Sequence, residues 1–418
     1  MRASVLRGGL VVGTMGLVVQ KYGGSSVATP EKLLAAARRA VEEFKAGSRV
    51  VVVVSAMGRR TDELIAMANQ IHEEPDPREL DMLMAVGEQM SVAMMAIAIH
   101  KLGHNAISLT GAQAGIRTTG VSSKAKIKAI DTTRVLRELE RGRIVIVAGF
   151  QGVDSDDNIT TLGRGGSDTT AVALAAVLKA ERCDIFTDVD GIYTADPRVV
   201  PEARRMERID YDEMLELASL GAKVMHSRAV EIAKRFGVPF RVRSSEGDSE
   251  GTLVTTTQEV EHVDVRAAAL EGNEAKITMR GVPDRPGVAA AIFGEIARCG
   301  INVDMIVQNV SAAGRTDVSF TVLRTDVPAA RRVAQGLCDK MGAGGVEVDE
   351  DIAKVSVVGL GMRSHTGVAE RMFHTLAEAQ INIRMISTSE IKISVVIDGA
   401  DGERALRAVH EAFELEQA

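Results

Sequence analysis

Three glycines set around one arginine, then a run of hydroxyl and acidic side chains, mark the stretch Thr160-Thr161-Leu162-Gly163-Arg164-Gly165-Gly166-Ser167-Asp168-Thr169-Thr170. Ala171-Val172-Ala173-Leu174-Ala175-Ala176-Val177-Leu178 follows, small and apolar throughout, so the pattern predicts a glycine loop opening a buried helix. At such a start, unpaired N–H groups and the positive end of the helix dipole point into the loop, and the expected occupant is an anion. The plainer alternative is an αβ turn whose glycines serve only tight turning, although a turn needs neither three glycines nor an embedded arginine.

Other residues with chemical capacity stand at comparable places. Lys21 follows the apolar run Leu17-Val18-Val19-Gln20 and precedes Tyr22-Gly23-Gly24-Ser25-Ser26. An ammonium there could act as a point charge on a phosphate that loop N–H groups wrap, or stand as a solvated strand-end lysine. Glu88 has Met84, Ala85, Ser91, Val92 and Met95 at helical spacing, so its face is apolar and inward. A buried carboxylate needs a cation, either an incoming ammonium ligand or an internal Arg or Lys. The string Thr187-Asp188-Val189-Asp190-Gly191-Ile192-Tyr193-Thr194-Ala195-Asp196-Pro197-Arg198 offers hydroxyls, carboxylates, a ring and a guanidinium, enough for a ribose, a base and a phosphate. As a Ca²⁺ loop it lacks the closing Glu of an EF-hand. Gly221-Ala222-Lys223-Val224 adds another cation after a loop. Neither a GxxxxGK[ST] loop nor a GxGxxG after the first strand is present.

These residues need a scaffold, and the pattern supplies one. Between Leu17 and Ser244 apolar β-branched runs, among them Val50-Val51-Val52-Val53-Val54 and Ile144-Val145-Ile146-Val147, alternate with small-residue loops and amphipathic helices. Continuous apolar runs predict strands buried on both faces, hence an α/β domain with a largely parallel sheet and helices on both sides. Ligands of such sheets bind at the carboxyl ends of the strands, where every loop named above falls. A net charge of −7, 3% aromatic residues and no Trp leave little for a nucleic acid to hold or stack on, so small ligands are expected. Cys183, Cys299 and Cys338 form no CxxC pair and the histidines no HExxH, which points to a reduced, cytoplasmic protein without a structural metal or a membrane association. Arg2, Arg7 and the apolar run after them imitate a signal peptide, but glycines break the run and no cleavage site follows. With Met15 just before the first strand, residues 1–14 read as an extension or a mis-assigned start.

The polar, acidic, glycine-spaced Ser244-Ser245-Glu246-Gly247-Asp248-Ser249-Glu250-Gly251 reads as a domain boundary. Beyond it the chain repeats itself. Ala275-Lys276-Ile277 returns as Ala353-Lys354-Val355, Gly287-Val288-Ala289 as Gly367-Val368-Ala369, and Ile301-Asn302-Val303-Asp304-Met305-Ile306 as Ile381-Asn382-Ile383-Arg384-Met385-Ile386. Two strand–helix–strand modules follow, with antiparallel strands open on one face.

Taken together, Lys21-Tyr22-Gly23-Gly24-Ser25-Ser26-Val27, the glycine loop, residues 188–198, Gly221-Ala222-Lys223-Val224-Met225-His226 and Met385-Ile386-Ser387-Thr388-Ser389-Glu390-Ile391 resemble aspartate kinase of the monofunctional type with tandem ACT domains. The resemblance implies an amino-acid-kinase domain over residues 15–245, a linker over 246–262, and two ferredoxin-like ACT domains over 263–345 and 346–418. It implies ATP- and Mg²⁺-dependent phosphorylation of the L-aspartate side chain, opening lysine, threonine and methionine synthesis. By similarity Lys21 and Asp168 are catalytic; Ser55, Thr61, Glu88, Arg164, Gly165, Gly166 and Ser167 hold aspartate and the reacting group; Tyr22, Gly23, Gly24, Thr187, Asp188, Tyr193, Asp196, Arg198, Lys223 and Val224 hold ATP. ACT modules of this kind pair side by side into one sheet and bind threonine or lysine at the joint. Asp284, Gly287, Ala289, Gln308, Asn382 and Ile383 are the contacts implied for one effector site, and Asn302, His365, Gly367 and Val368 those for a second. An oligomer through the ACT domains, with or without a separate ACT-only subunit, is expected. Thr366 stands where the family carries Pro, and Ser245-Glu246-Gly247-Asp248 replaces an aromatic linker.

Overall fold

The computed structural model describes residues 16–220, 224–257, 265–309, 314–363 and 367–417. Lys223, His365, Thr366 and residues 1–14 lie outside the described residues. The chain forms two compact units, the first from the described parts of Met1–Ile192, Arg205–Ala218 and Lys223–Gln258, the second from those of Tyr193–Arg204, Ser219–Ala222 and Glu259–Ala418.

The first unit is built on an eight-stranded sheet in the order Arg208–Ile209, Thr252–Val254, Phe240–Ser244, Arg182–Thr187, Leu17–Tyr22, Arg49–Val54, Ile144–Ala148, Ala106–Leu109. All neighbours run parallel except Phe240–Ser244 against Thr252–Val254. Val50 to Val54 are buried on both faces, as an unalternating run requires. Thr252–Val254 carries this sheet past residue 245, so the stretch expected as a linker from 246 begins inside the first unit. The helix Pro77–Lys101 starts cleanly because Asp76 accepts from Arg78 N and Glu79 N, with Pro77 at the first position. It is long and apolar enough to cross a membrane, yet it packs on Pro30–Lys45, Arg60–Ile71 and the sheet as a core helix.

The second unit holds two four-stranded sheets. One runs Ile306–Gln308, Arg315–Leu323, Glu274–Pro283, Gly345–Asp349; the other runs Ala267–Glu271, Ile352–Val358, Lys392–Asp398, Met385–Thr388. Within this chain the repeats therefore form separate sheets, not the single joined sheet expected. A boundary at 345 and 346 also fails to follow the strands: Gly345–Asp349 pairs with the first repeat, while Ala267–Glu271, from ahead of that repeat, pairs antiparallel with Ile352–Val358 of the second. Strand order in a sheet follows pairing in space, and an edge left by one repeat is covered by the chain entering the other.

Candidate functional site

Lys21 stands near the carboxyl end of the central strand Leu17–Tyr22, between Val53 and Ile185 in register. Its Nζ lies 2.6 Å from Asp168 Oδ1, from the first turn of the helix Gly166–Leu178, and both side chains are buried. The contact is a close, buried ion pair that holds the ammonium at the strand end. Gly23 keeps the neighbourhood clear, since a Cβ there would sit 3.5 Å from Lys21 Nζ. Gly24 is tighter still: a Cβ would meet Ala56 O at 2.8 Å and Gly58 O at 3.0 Å.

The glycine loop is placed by its neighbours. Gly165 takes φ 66°, in the left-handed region, and a Cβ on it would lie 2.1 Å from the His226 Cβ, so only glycine fits under that ring. Burial holds the His226 imidazole below its ordinary pKa, against a raising pull from Asp168, and Arg228 and Arg164 add to the lowering. Gly149, at the end of Ile144–Ala148, faces Ser167 so closely that a Cβ would stand 2.6 Å from its hydroxyl oxygen. Arg164 is exposed at the loop crest.

Glu88 is 3% exposed on Pro77–Lys101. Its Oε1 accepts from Ala56 N at 3.1 Å, one residue beyond Ser55, while its Oε2 has no partner among the described residues. Burial pushes this carboxyl up to about 7, opposed by the Ala56 N–H. Among the described residues no Lys or Arg forms a salt bridge with Glu88. Neighbouring Gly87 lets the helix close on this corner, where a Cβ would lie 2.8 Å from the Ala56 Cβ and 3.8 Å from Thr61 Oγ1. Ser55, Thr61 and Glu88 thus meet at the end of strand Arg49–Val54.

The expected nucleotide contacts divide. Thr187 and Asp188 close strand Arg182–Thr187, the Thr187 hydroxyl donating to Asp188 Oδ1 at 3.0 Å. Tyr193, Asp196 and Arg198 belong to a segment that folds with the second unit, where Thr194 Oγ1 meets His410 Nε2 at 2.9 Å and Ala268 N donates to Thr194 O. Arg198 forks onto Asp196, which holds that carboxyl below its ordinary range. Tyr22 is a core residue. Strand alternation turns it away from Lys21, its ring stacks on Phe186 with centroids 4.8 Å apart, and its hydroxyl donates to Gln20, so only its backbone is available to a nucleotide. Val224 is half-buried. In the second unit Asp284, Gly287, Ala289, Asn302, Gln308, Asn382 and Gly367 are exposed, Ile383 is half-buried and Val368 is buried.

Asp81 was not among the residues singled out from the sequence, although it is fully buried and holds the root of the glycine loop. The available signal was an acidic residue in an apolar helical run, seven residues before Glu88 and on the same face.

A parallel sheet whose strand ends gather a lysine, glycine loops and a helix start defines a phosphate-handling α/β enzyme, and the amino acid kinase family matches residues 16–244. The ACT domain family matches residues 277–335 and 355–413. An aspartate kinase of Stutzerimonas stutzeri is 53% identical over 404 residues, 96% of this chain and 98% of that protein. An aspartokinase of Pseudomonas aeruginosa is 53% identical over 405 residues, with the same coverage. Among solved structures, Escherichia coli aspartokinase III in complex with aspartate and ADP, an R-state, is similar with a TM-score of 0.80 at 29% identity, covering 95% of this chain and 99% of that one. The same enzyme with lysine and aspartate, a T-state, gives a TM-score of 0.74 at 30% identity, with the same coverage. This chain belongs to the aspartate kinase family.

Proposed function

We propose that the chain transfers the γ-phosphoryl group of ATP to the side-chain carboxylate of L-aspartate, giving 4-phospho-L-aspartate, and that the glycine loop is where the two substrates meet. The observation that carries this reading is the buried Lys21–Asp168 pair at the start of the Gly166–Leu178 helix. An aspartate side chain, with a reference pKa of about 3.9, is already ionised at neutral pH, so its attack needs no general base. The obstacle is bringing one anion onto another, and the chain answers it with charge and alignment. Lys21 stabilises the transferring group while Asp168 fixes the lysine. Glycines 165 and 166 and Ser167 set the helix start against it, the Gly166 N–H itself closing the turn onto Gly163 O at 3.0 Å.

Arg164 takes the α-carboxylate of aspartate as a fork, Glu88 takes its α-ammonium, and Ser55 and Thr61 line the same corner. Thr187, Asp188 and the backbone of residues 22–24 serve ATP, as do Tyr193, Asp196, Arg198, Lys223 and Val224. Among the described residues no group of three or more His, Cys, Asp or Glu could hold a metal by itself. That suits Mg²⁺, which takes one or two carboxylates along with waters and substrate phosphates, and when bound neutralises phosphate charge.

The ACT repeats regulate the enzyme by binding lysine, threonine or both, through Asp284, Gly287, Ala289, Gln308, Asn382 and Ile383 in one site and Asn302, His365, Gly367 and Val368 in the other. An effector acts by binding active and inactive arrangements unequally. The product feeds lysine, threonine and methionine synthesis, and assembly runs through the ACT domains.

Hydroxamate trapping of the acyl phosphate tests the whole reading. Product is expected with aspartate, little with glutamate, and less when millimolar lysine or threonine is added. Equal rates with glutamate would overturn the substrate assignment, and indifference to both effectors would overturn the regulatory one.

A further inference from the structure

We infer that Asp81 is a positioning residue for the aspartate site, tying the glycine loop that bears Arg164 to the helix that bears Glu88. Its carboxylate is completely buried within Pro77–Lys101. Oδ1 accepts from the Thr161 hydroxyl at 2.6 Å, from Ser123 N at 3.1 Å and from the Ser123 hydroxyl at 3.3 Å; Oδ2 accepts from Thr161 N and Ser123 N, each at 3.0 Å. A buried carboxyl group needs donors, and among the described residues Thr161 and Ser123 supply them. Among the described residues no Lys or Arg pairs with Asp81, so its burial depends on a specific arrangement of the Thr161 and Ser123 backbone and hydroxyls that it in turn imposes.

Both anchored segments lead into the loop. Thr161 is three residues before Arg164, and its carbonyl accepts from Ala125 N at 3.0 Å. Ser123 is held at φ 62°, a left-handed conformation that a non-glycine residue adopts only when its surroundings enforce it. Its carbonyl oxygen lies 2.9 Å from where a Gly163 Cβ would be, so the turn of the loop is shaped against it. From the opposite side Arg228 donates to Leu162 O at 2.9 Å and to Ala125 O at 2.8 Å. Among the described residues the exposed Arg164 makes no such bonds of its own, and its position follows from these roots.

Asp81 and Glu88 are seven residues apart on one helix face, so a rigid helix fixes the distance from the carboxylate of Glu88 to the anchor of the loop. The consequence is a ruler for a short amino acid, with the ammonium end at Glu88 and the carboxylate end at Arg164. This inference rests on those two assignments. Removing the anchor lets Arg164 drift while Lys21, Asp168 and the nucleotide side keep their own supports.

The test is steady-state kinetics on Asp81→Asn, Arg164→Ala and the double variant of the full chain. Asp81→Asn is expected to raise the aspartate KM by roughly tenfold or more with the ATP KM unchanged, since small misplacements of binding groups carry large kinetic penalties. In the Arg164→Ala background the same substitution should add little, because both act on one contact. Equal movement of both KM values, or a fall in kcat alone that tracks the folded fraction, would overturn the inference, as would full additivity with Arg164→Ala. If Arg164→Ala by itself leaves the aspartate KM unchanged, the assignment of Arg164 fails and the inference that rests on it falls too, whereas a raised KM in Arg164→Ala beside an unchanged one in Asp81→Asn overturns the Asp81 inference alone. Should Asp81→Asn not fold, Thr161→Val removes one anchoring bond at constant shape and is expected to show the same selectivity at smaller size; an unchanged aspartate KM there overturns the inference.

Discussion

Two buried lysines, one in each unit, meet carboxylates in different ways. Lys354, 1% exposed on strand Ile352–Val358 of the second repeat, sits between Glu274, at 2.6 Å, and Asp304, both from the first repeat. Burial works to lower its pKa, but the two carboxylates outweigh burial and hold it above the ordinary lysine value. Lys21 has one carboxylate, Asp168, and is bordered by glycines that leave room beside its ammonium. A lysine has three donors; flanked by two acceptors in a closed interior it is a clamp, and with one acceptor at an open strand end it is a tool. The cluster Met305, Ile352, Met385 and Val396 accompanies the clamp, so apolar packing and charge join the repeats at the same place.

Lys21→Met should show the largest effect. Turnover is expected to fall by roughly a thousandfold, the size seen when one preorganised charge is removed from a reacting group, well beyond the stability cost of leaving the buried Asp168 without its partner, which thermal unfolding reports separately. A variant that keeps its kcat would end the distinction between the two lysines.

For Lys354→Met the outcome should invert. Removing one partner from a buried ion cluster leaves uncompensated charge and costs about 3 kcal/mol, which denaturant unfolding of the second unit would register, while kcat without effector should change only slightly. Adding Glu274→Gln to that variant should restore part of the loss. No stability change in the single variant would mean that Asp304, a third exposed, and solvent already screen the cluster.

Glycine substitutions sharpen the same contrast between closed and open. Gly165, Gly287 and Gly367 all precede helices in left-handed conformations, with φ of 66°, 92° and 107°. Alanine costs each about 1 kcal/mol in backbone strain. Gly287 and Gly367 have nothing within 4 Å of a Cβ, whereas Gly165 has the His226 ring. Gly165→Ala is therefore expected to impair both stability and kcat, and the other two to alter stability slightly and effector response more, as melting curves and inhibition titrations would report.

Residue patterns made the kinase scaffold legible because a doubly buried parallel strand has an unmistakable signature, the unbroken run of Val50 to Val54. Lys21, Asp168 and Glu88 were legible because a charge next to glycines or inside an apolar face needs an explanation. The burial of the Tyr22 side chain was missed by reading a motif as a unit, when the alternation of its strand already set it opposite Lys21. The crossing of Ala267–Glu271 into the second repeat's sheet had no local signal, since its pairing with Ile352–Val358 spans a whole domain of intervening chain. The same holds for Tyr193–Arg204, whose partners His410 and Ala268 are far along the sequence.

Glu88 is a third buried charge, and its Oε2 meets no donor among the described residues. Its folded-state pKa of about 7 stands above the ordinary carboxyl value of 4.5 because burial disfavours the charge. Between those values the folded protein keeps a proton that the unfolded chain has released, so this residue lowers stability progressively as pH rises through the window. Glu88→Gln should remove that slope and make the protein relatively more stable at pH 8 than at pH 5. Aspartate binding has the opposite sense, since its ammonium needs the ionised carboxylate. In the unaltered protein the aspartate KM is expected to climb as pH drops below about 7, approaching roughly tenfold per unit, while in Glu88→Gln it is higher at neutral pH and flat. ATP titrates in the same region in both proteins, so the difference between the two profiles isolates Glu88. Parallel profiles would mean that the orphaned oxygen is not where the substrate's ammonium goes.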